Sequence, residues 1–198
     1  MLEKTENLII FIIVFFIILF GFYYLNKNDY NTNINTNNIE QNIVKPKNDT
    51  IYIRGLGVFQ KADLKRASKI IKDFYGYPCK ILESMKTSKY MYSDDGKSLD
   101  DYKSLTSLKS VNTTLYVTDE LITQNNIDLR GSTLMSGNNI MVKGDMSCMT
   151  STIIHEFGHL LGLEHCNDLT CVMGVDNDKY DSGDFCVKCK KIIGWSNI

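Results

Sequence analysis

The chain has 198 residues, 43% of them hydrophobic, and sets 22 Lys and Arg against 23 Asp and Glu for a formal net charge of −1. That length allows one domain with appendages. So neutral a balance, without a long basic run, excludes a general electrostatic binder of nucleic acid, because such proteins concentrate cations to displace phosphate counterions. In chain order the first element, after a short tail over residues 1–7, is the uncharged run 8–25, LIIFIIVFFIILFGFYYL, bounded by Leu8 and Leu25. As a helix it extends roughly 27 Å, close to the hydrocarbon thickness of a bilayer. Bulky Phe22, Tyr23, Tyr24 and Leu25 stand where a signal-peptide cleavage site needs small residues. The expectation is an uncleaved single-pass anchor and a membrane localisation, with Lys4 and Lys27 leaving its orientation balanced. Residues 26–49 hold nine asparagines and one proline, too little apolar surface to offset the entropy of ordering, and predict a flexible tether.

Residues 50–198 then form a neutral domain with 18 basic and 18 acidic side chains, large enough for one core. The stretch 51–59 predicts a first strand running into a turn. Leu64, Ala67, Ile71 and Phe74 recur at helical spacing, and Gly76 stands where a left-handed C-terminal residue belongs. A second strand is expected over 77–82. Ser98, Leu99, Asp100 and Asp101 resemble a capping box ahead of a helix carrying Leu99, Tyr102, Leu105 and Leu108. Short strands are expected at 114–118, 132–135 and 140–142, with a turn over 136–139.

The chain's three histidines all fall in one string, His155-Glu156-Phe157-Gly158-His159-Leu160-Leu161-Gly162-Leu163-Glu164-His165. Residues four apart share a helical face, so His155 and His159 can offer imidazole nitrogens to one zinc ion. Glu156, rotated by about 100°, stays off the metal yet close to a water held there. Gly162 can take the positive φ that ends the helix and lets His165 approach from another direction. Three protein ligands leave a fourth position for water, which marks a catalytic rather than a structural zinc. The expected chemistry is peptide hydrolysis, with Glu156 taking a proton from the zinc-bound water and returning it to the leaving amine. The competing reading is a catalytically silent, membrane-tethered module that binds zinc or peptide; an intact Glu156 speaks against it.

Cys166 and Cys171, then Cys186 and Cys189, form two short-spaced pairs of the kind that build a four-cysteine structural zinc site. The competing reading is two disulfides, which requires an oxidising compartment. Cys79 and Cys148 lack a partner pattern and are expected to be buried free thiols. Met173 sits on a predicted tight turn before Gly174. The combination of HExxHxxGxxH with a following methionine turn is the metzincin signature. The string from His155 to Cys189 resembles the archaemetzincin branch in particular, matching HExxHxxGxxHC, four residues, CxM, a spacer and CxxC at His155, Glu156, His159, Gly162, His165, Cys166, Cys171, Met173, Cys186 and Cys189. The resemblance implies an α+β, zincin-like domain with a mixed twisted sheet, an active-site helix and a Met-turn. It also implies two zinc ions, catalytic on the three histidines and structural on the four cysteines, with Met173 as the floor of the first. A peptide or protein substrate would pair with the strand near Ile140, and the protein would act as a monomer. The resemblance leaves the side chain that stabilises the oxyanion open, Tyr180 being a candidate by proximity.

Overall fold

The computed structural model describes residues 50–134, 137–144, 147–174 and 183–195. The tail, the 8–25 run, the 26–49 tether and Tyr180 lie outside them. The single-pass membrane localisation expected from Leu8 to Leu25 is corrected by the structure, since no helix among the described residues is long and apolar enough to cross a membrane. The 15-residue helix α1 (Lys61–Tyr75) spans about 23 Å against the roughly 30 Å of a bilayer core.

Strand β1 (Ile51–Gly55) buries Ile51 and Ile53 and leaves Tyr52 and Arg54 half-exposed, the period of two expected of a strand with one face in the core. Helix α1 buries Leu64, Ala67 and Ile71 and stops at Gly76, whose φ of 74° turns its N–H back onto the Lys72 carbonyl. This crossover lays β2 (Cys79–Ile81) parallel to β1. After β3 (Leu99–Asp100) comes α2 (Asp101–Ser107), capped by Asp100, whose side chain accepts from the Lys103 N–H at 2.8 Å. The expected cap, Ser98, instead shares a 2.8 Å hydrogen bond with Thr123, and Tyr102 faces solvent. The Ser98 hydroxyl is committed to that tertiary contact, so the local capping pattern yields.

The remaining elements are β4 (Thr114–Thr118), β5 (Ile122–Gln124), β6 (Ile127–Leu129), β7 (Gly131–Thr133), β8 (Asn139–Lys143), α3 (Met149–Leu160) and α4 (Val187–Ile192). The β5–β6 hairpin turns at Asn125 and Asn126, both at positive φ, and was not among the predicted strands. A five-stranded sheet runs β2-β1-β4-β8-β7, parallel except for β7, beside a small β3-β5-β6 sheet. The fold is therefore mixed α+β, as expected. One correction concerns substrate pairing. Strand β8, which carries Ile140, is hydrogen-bonded on both sides, by β4 and β7, so it has no edge to offer; among the described residues the sheet's edge strands are β2 and, on the side of Glu156, β7.

One face of the sheet, with Ile51, Ile53, Leu115, Val117, Ile140 and Val142, packs on α1 and α3. The other face contributes Tyr116 and Met141 to a second core with Leu99, Leu105, Leu108 and Ile122. Helix α3 is buried almost all round through Ile153, Ile154, Phe157 and Leu160, which fixes its position to that of the sheet. The Tyr75 hydroxyl donates to the Ile154 carbonyl at 2.7 Å, tying α1 to the residue before His155, and its ring lies 4.4 Å from that of Phe157. Gly158 allows Met173 close to α3, since a Cβ there would stand 2.6 Å from the Met173 Sδ and 3.1 Å from the Phe185 ring. Gly158→Ala therefore lowers stability by about 1–2 kcal/mol in a urea titration, the overpacking outweighing the gain in helix propensity.

Candidate metal centres and the catalytic helix

Helix α3 presents His155 and His159 one turn apart, and Gly162, at φ 87°, ends the helix so that the chain brings His165 back to them. The Nε2 atom of His155 lies 3.1 Å from that of His159 and 3.2 Å from that of His165. His155 Nδ1 is 2.7 Å from the Val172 carbonyl and His159 Nδ1 is 2.8 Å from the Leu163 carbonyl. A carbonyl only accepts, so both Nδ1 atoms carry the proton and both Nε2 atoms present lone pairs to the cluster. Lone pairs at that range repel unless a cation lies between them. A tetrahedral ion with bonds of about 2.0–2.1 Å to nitrogen sets its ligand atoms about 3.3 Å apart, close to the spacing found. Burial pushes the His155 imidazole down to about 4, with the two neighbouring rings adding to the effect, and His159 is lowered mainly by burial as well; both are neutral at pH 7, the form that ligates. His155 is buried, His159 half-buried and His165 exposed, so the cluster opens to solvent at one side.

Glu156 is buried beneath β7. Burial pushes its carboxyl up to about 8, the Thr133 hydroxyl opposing and the buried Asp101 carboxylate reinforcing the shift. Thr133 Oγ1 also donates to the Glu156 carbonyl at 3.2 Å. Asp101 is held by Gln124 and Ser132, each donating at 3.0 Å. Gly131 leaves the space Glu156 fills, since a Cβ there would stand 2.8 Å from its Cγ and 3.1 Å from Oε1. These neighbours of Glu156 on β7 and α2 were missed from the sequence; the glycine heading Gly131-Ser132-Thr133 was the available signal of a close approach. Gly131→Ala is expected to cut turnover by about 10-fold to 100-fold by displacing the carboxylate, with the loss in kcat rather than KM on a peptide substrate.

The second cluster joins Cys166, Cys171, Cys186 and Cys189, whose Sγ atoms all lie within 4.8 Å of one another. All six cysteines of the chain are free thiols. Cys171 Sγ lies 3.7 Å from Cys189 Sγ, too far for a disulfide and close to the roughly 3.8 Å that a tetrahedral ion with bonds of about 2.3 Å imposes. Backbone N–H groups of Met173 and Cys186 donate to Cys171 Sγ at 3.4 and 3.2 Å, an arrangement that stabilises a thiolate. Without a cation Cys171 and Cys189 resist ionisation. Burial pushes Cys171 up to about 11 and Cys189 higher still, the neighbouring sulfurs reinforcing both shifts. Met173 is fully buried with its sulfur against Gly158. Cys79 and Cys148 are half-buried rather than buried, and neither joins a metal-ligand cluster among the described residues.

An α+β domain with two histidines on a helix and a third just past its end, a carboxylate beside them and a buried methionine below has the make-up of a zinc metallopeptidase. Residues 146–194 match the sequence profile of peptidase family M54. A comparison with curated protein sequences finds no match. Among solved structures, the archaemetzincin of Archaeoglobus fulgidus, complexed with malonate, superposes with a TM-score of 0.62 at 21% identity, over 73% of this chain and 99% of that one. The archaemetzincin of Methanopyrus kandleri gives 0.59 at 18% identity, over 76% and 97%, and a zinc-dependent peptidase from Methanocorpusculum labreanum gives 0.54 at 17%, over 72% and 99%. At these identities the likeness establishes the fold. It spans nearly the whole of each relative and leaves about a quarter of this chain without a counterpart.

Proposed function

We propose that the domain over residues 50–198 hydrolyses peptide bonds, with His155, His159 and His165 as ligands of a catalytic zinc, Glu156 as general base and acid, and Cys166, Cys171, Cys186 and Cys189 as ligands of a structural zinc. The observation that carries the reading is the convergence of the imidazole Nε2 atoms, with the Nδ1 atoms of His155 and His159 tied to carbonyls. When bound, the catalytic ion supplies a Lewis acid for the scissile carbonyl and acidifies water at its open position. Glu156 does the proton work. Its carboxylate accepts the proton of the attacking water and later delivers it to the amine nitrogen of the leaving fragment; an affinity for protons near neutrality suits both steps. The free edge of β7 orients an extended peptide through backbone hydrogen bonds, as a strand added to the sheet. Thr133 holds the Glu156 backbone carbonyl, and Gly131 makes room for the Glu156 side chain against this edge.

Metal analysis of the purified chain tests both sites together. About two zinc ions per chain are expected. One zinc with four cysteines that fail to react with a thiol reagent after denaturation would sink the four-cysteine site in favour of disulfides.

A further inference from the structure

The sheet face turned away from α3 carries a pocket of about 250 Å³ whose floor is the outer side of β1 and β4 and whose wall is the loop after α2. Tyr52, Arg54, Thr114 and Tyr116 are the alternate residues of the two strands, paired Tyr52 with Thr114 and Arg54 with Tyr116. This register sets a guanidinium beside two phenols, and Lys109 on the loop adds an ammonium to the lining. No carboxylate is among the described lining residues. Neither Arg54 nor Lys109 takes part in an ion pair among the described residues. Arg54 Nε is buried without a hydrogen-bond acceptor among the described residues. The Arg54 charge acts on the pocket, since it draws back the Tyr116 phenol that burial raises.

A guanidinium cannot shed its proton, and a buried N–H on it is costly without an acceptor. The planar fork of Arg54 matches two oxygens of one oxyanion, Lys109 doubles the positive charge, and the phenols of Tyr52 and Tyr116 are further donors. We infer that this pocket binds a small dianionic oxyanion of the phosphate kind, as free phosphate or as the head of a small phosphate ester, on the side of the sheet opposite the catalytic helix.

The test titrates the zinc-loaded full chain with inorganic phosphate and, separately, with glycerol phosphate, reading heat and melting temperature, in the parent, Arg54→Gln and Lys109→Gln. The parent is expected to bind at least one of the two anions and to melt higher in its presence. Arg54→Gln weakens that binding at least 10-fold and Lys109→Gln several-fold, with peptide turnover unchanged in both. Because Lys109 is exposed, its variant keeps the test open should Arg54→Gln fold poorly. Preference for the ester assigns the rest of the cavity to its organic part, and preference for phosphate leaves the ion alone there. Equal binding by all three proteins would put the anion at the zinc instead and overturn the site, as would no binding at all.

Discussion

Glu156→Gln is expected to lower peptide turnover by about 100-fold to 10,000-fold, the usual contribution of a general acid–base group, while both zinc ions stay bound. Gln keeps the shape and the hydrogen-bonding edge of the side chain but can neither take nor return a proton. A companion effect separates this role from structural damage. The Glu156 carboxyl, raised by burial from 4.5 to about 8, holds its proton in the folded chain over a range where the unfolded chain releases it. Its contribution to stability is full below about pH 4.5 and is lost as pH rises toward 8. Gln loses nothing over that window. With the histidine site stripped of metal, Glu156→Gln is therefore more stable than the parent above about pH 4.5, by on the order of 3 kcal/mol at pH 7, with the gap widening to about pH 8. His155 and His159 are common to both proteins and cancel. Dead catalysis in a more stable protein is the outcome a merely structural Glu156 would not give. Turnover left intact would instead favour a silent module that binds zinc or peptide.

The parts of the site that were legible in the sequence are those whose partners lie close along the chain. His155, His159 and His165 lie within eleven residues, and helical spacing plus one glycine at φ 87° is enough to assemble them. The cysteine cluster reads equally well, because its two short-spaced pairs each supply half of a tetrahedron. The surroundings of Glu156 come from far upstream. Gly131 and Thr133 belong to a three-residue strand without apolar alternation, and Asp101 reaches the site through Ser132 and Gln124; no local pattern announces either. The same shortness hid β5 and β6, although the paired Asn125 and Asn126 suit a two-residue hairpin turn needing positive φ at both positions. At Ser98 the local rule pointed to a cap, and a hydroxyl 25 residues away decided otherwise. Strand β8 was expected over 140–142 and is found there, but whether one of its sides was free depended on β7, and β7 occupies it.

Cys171→Ser is expected to remove one zinc per chain and to cost several kcal/mol, a part of the roughly 10–16 kcal/mol that a structural zinc contributes in small zinc-finger domains. Cys171 is buried, its sulfur receives two backbone N–H groups, and it lies 3.7 Å from Cys189. A hydroxyl there is a weak ligand for zinc and leaves the other three sulfurs crowded without full charge compensation. The consequence reaches the catalytic cluster through the chain itself. Cys166 follows His165 directly, its N–H donates to the Met173 carbonyl at 2.8 Å, and Cys171 precedes by one residue Val172, whose carbonyl holds the His155 ring. An ion held by the four sulfurs would thus pin the loop that aims two of the three imidazoles. Loss of turnover should accompany loss of the structural zinc in Cys171→Ser even though no histidine has changed, and the melting temperature should fall by more than about 10 °C. Exposed Lys188→Ala, on α4 but outside the cluster, should leave zinc content, melting and turnover as in the parent. A Cys171→Ser protein that keeps two zinc ions and the parental melting temperature would refute the coupling between the two centres.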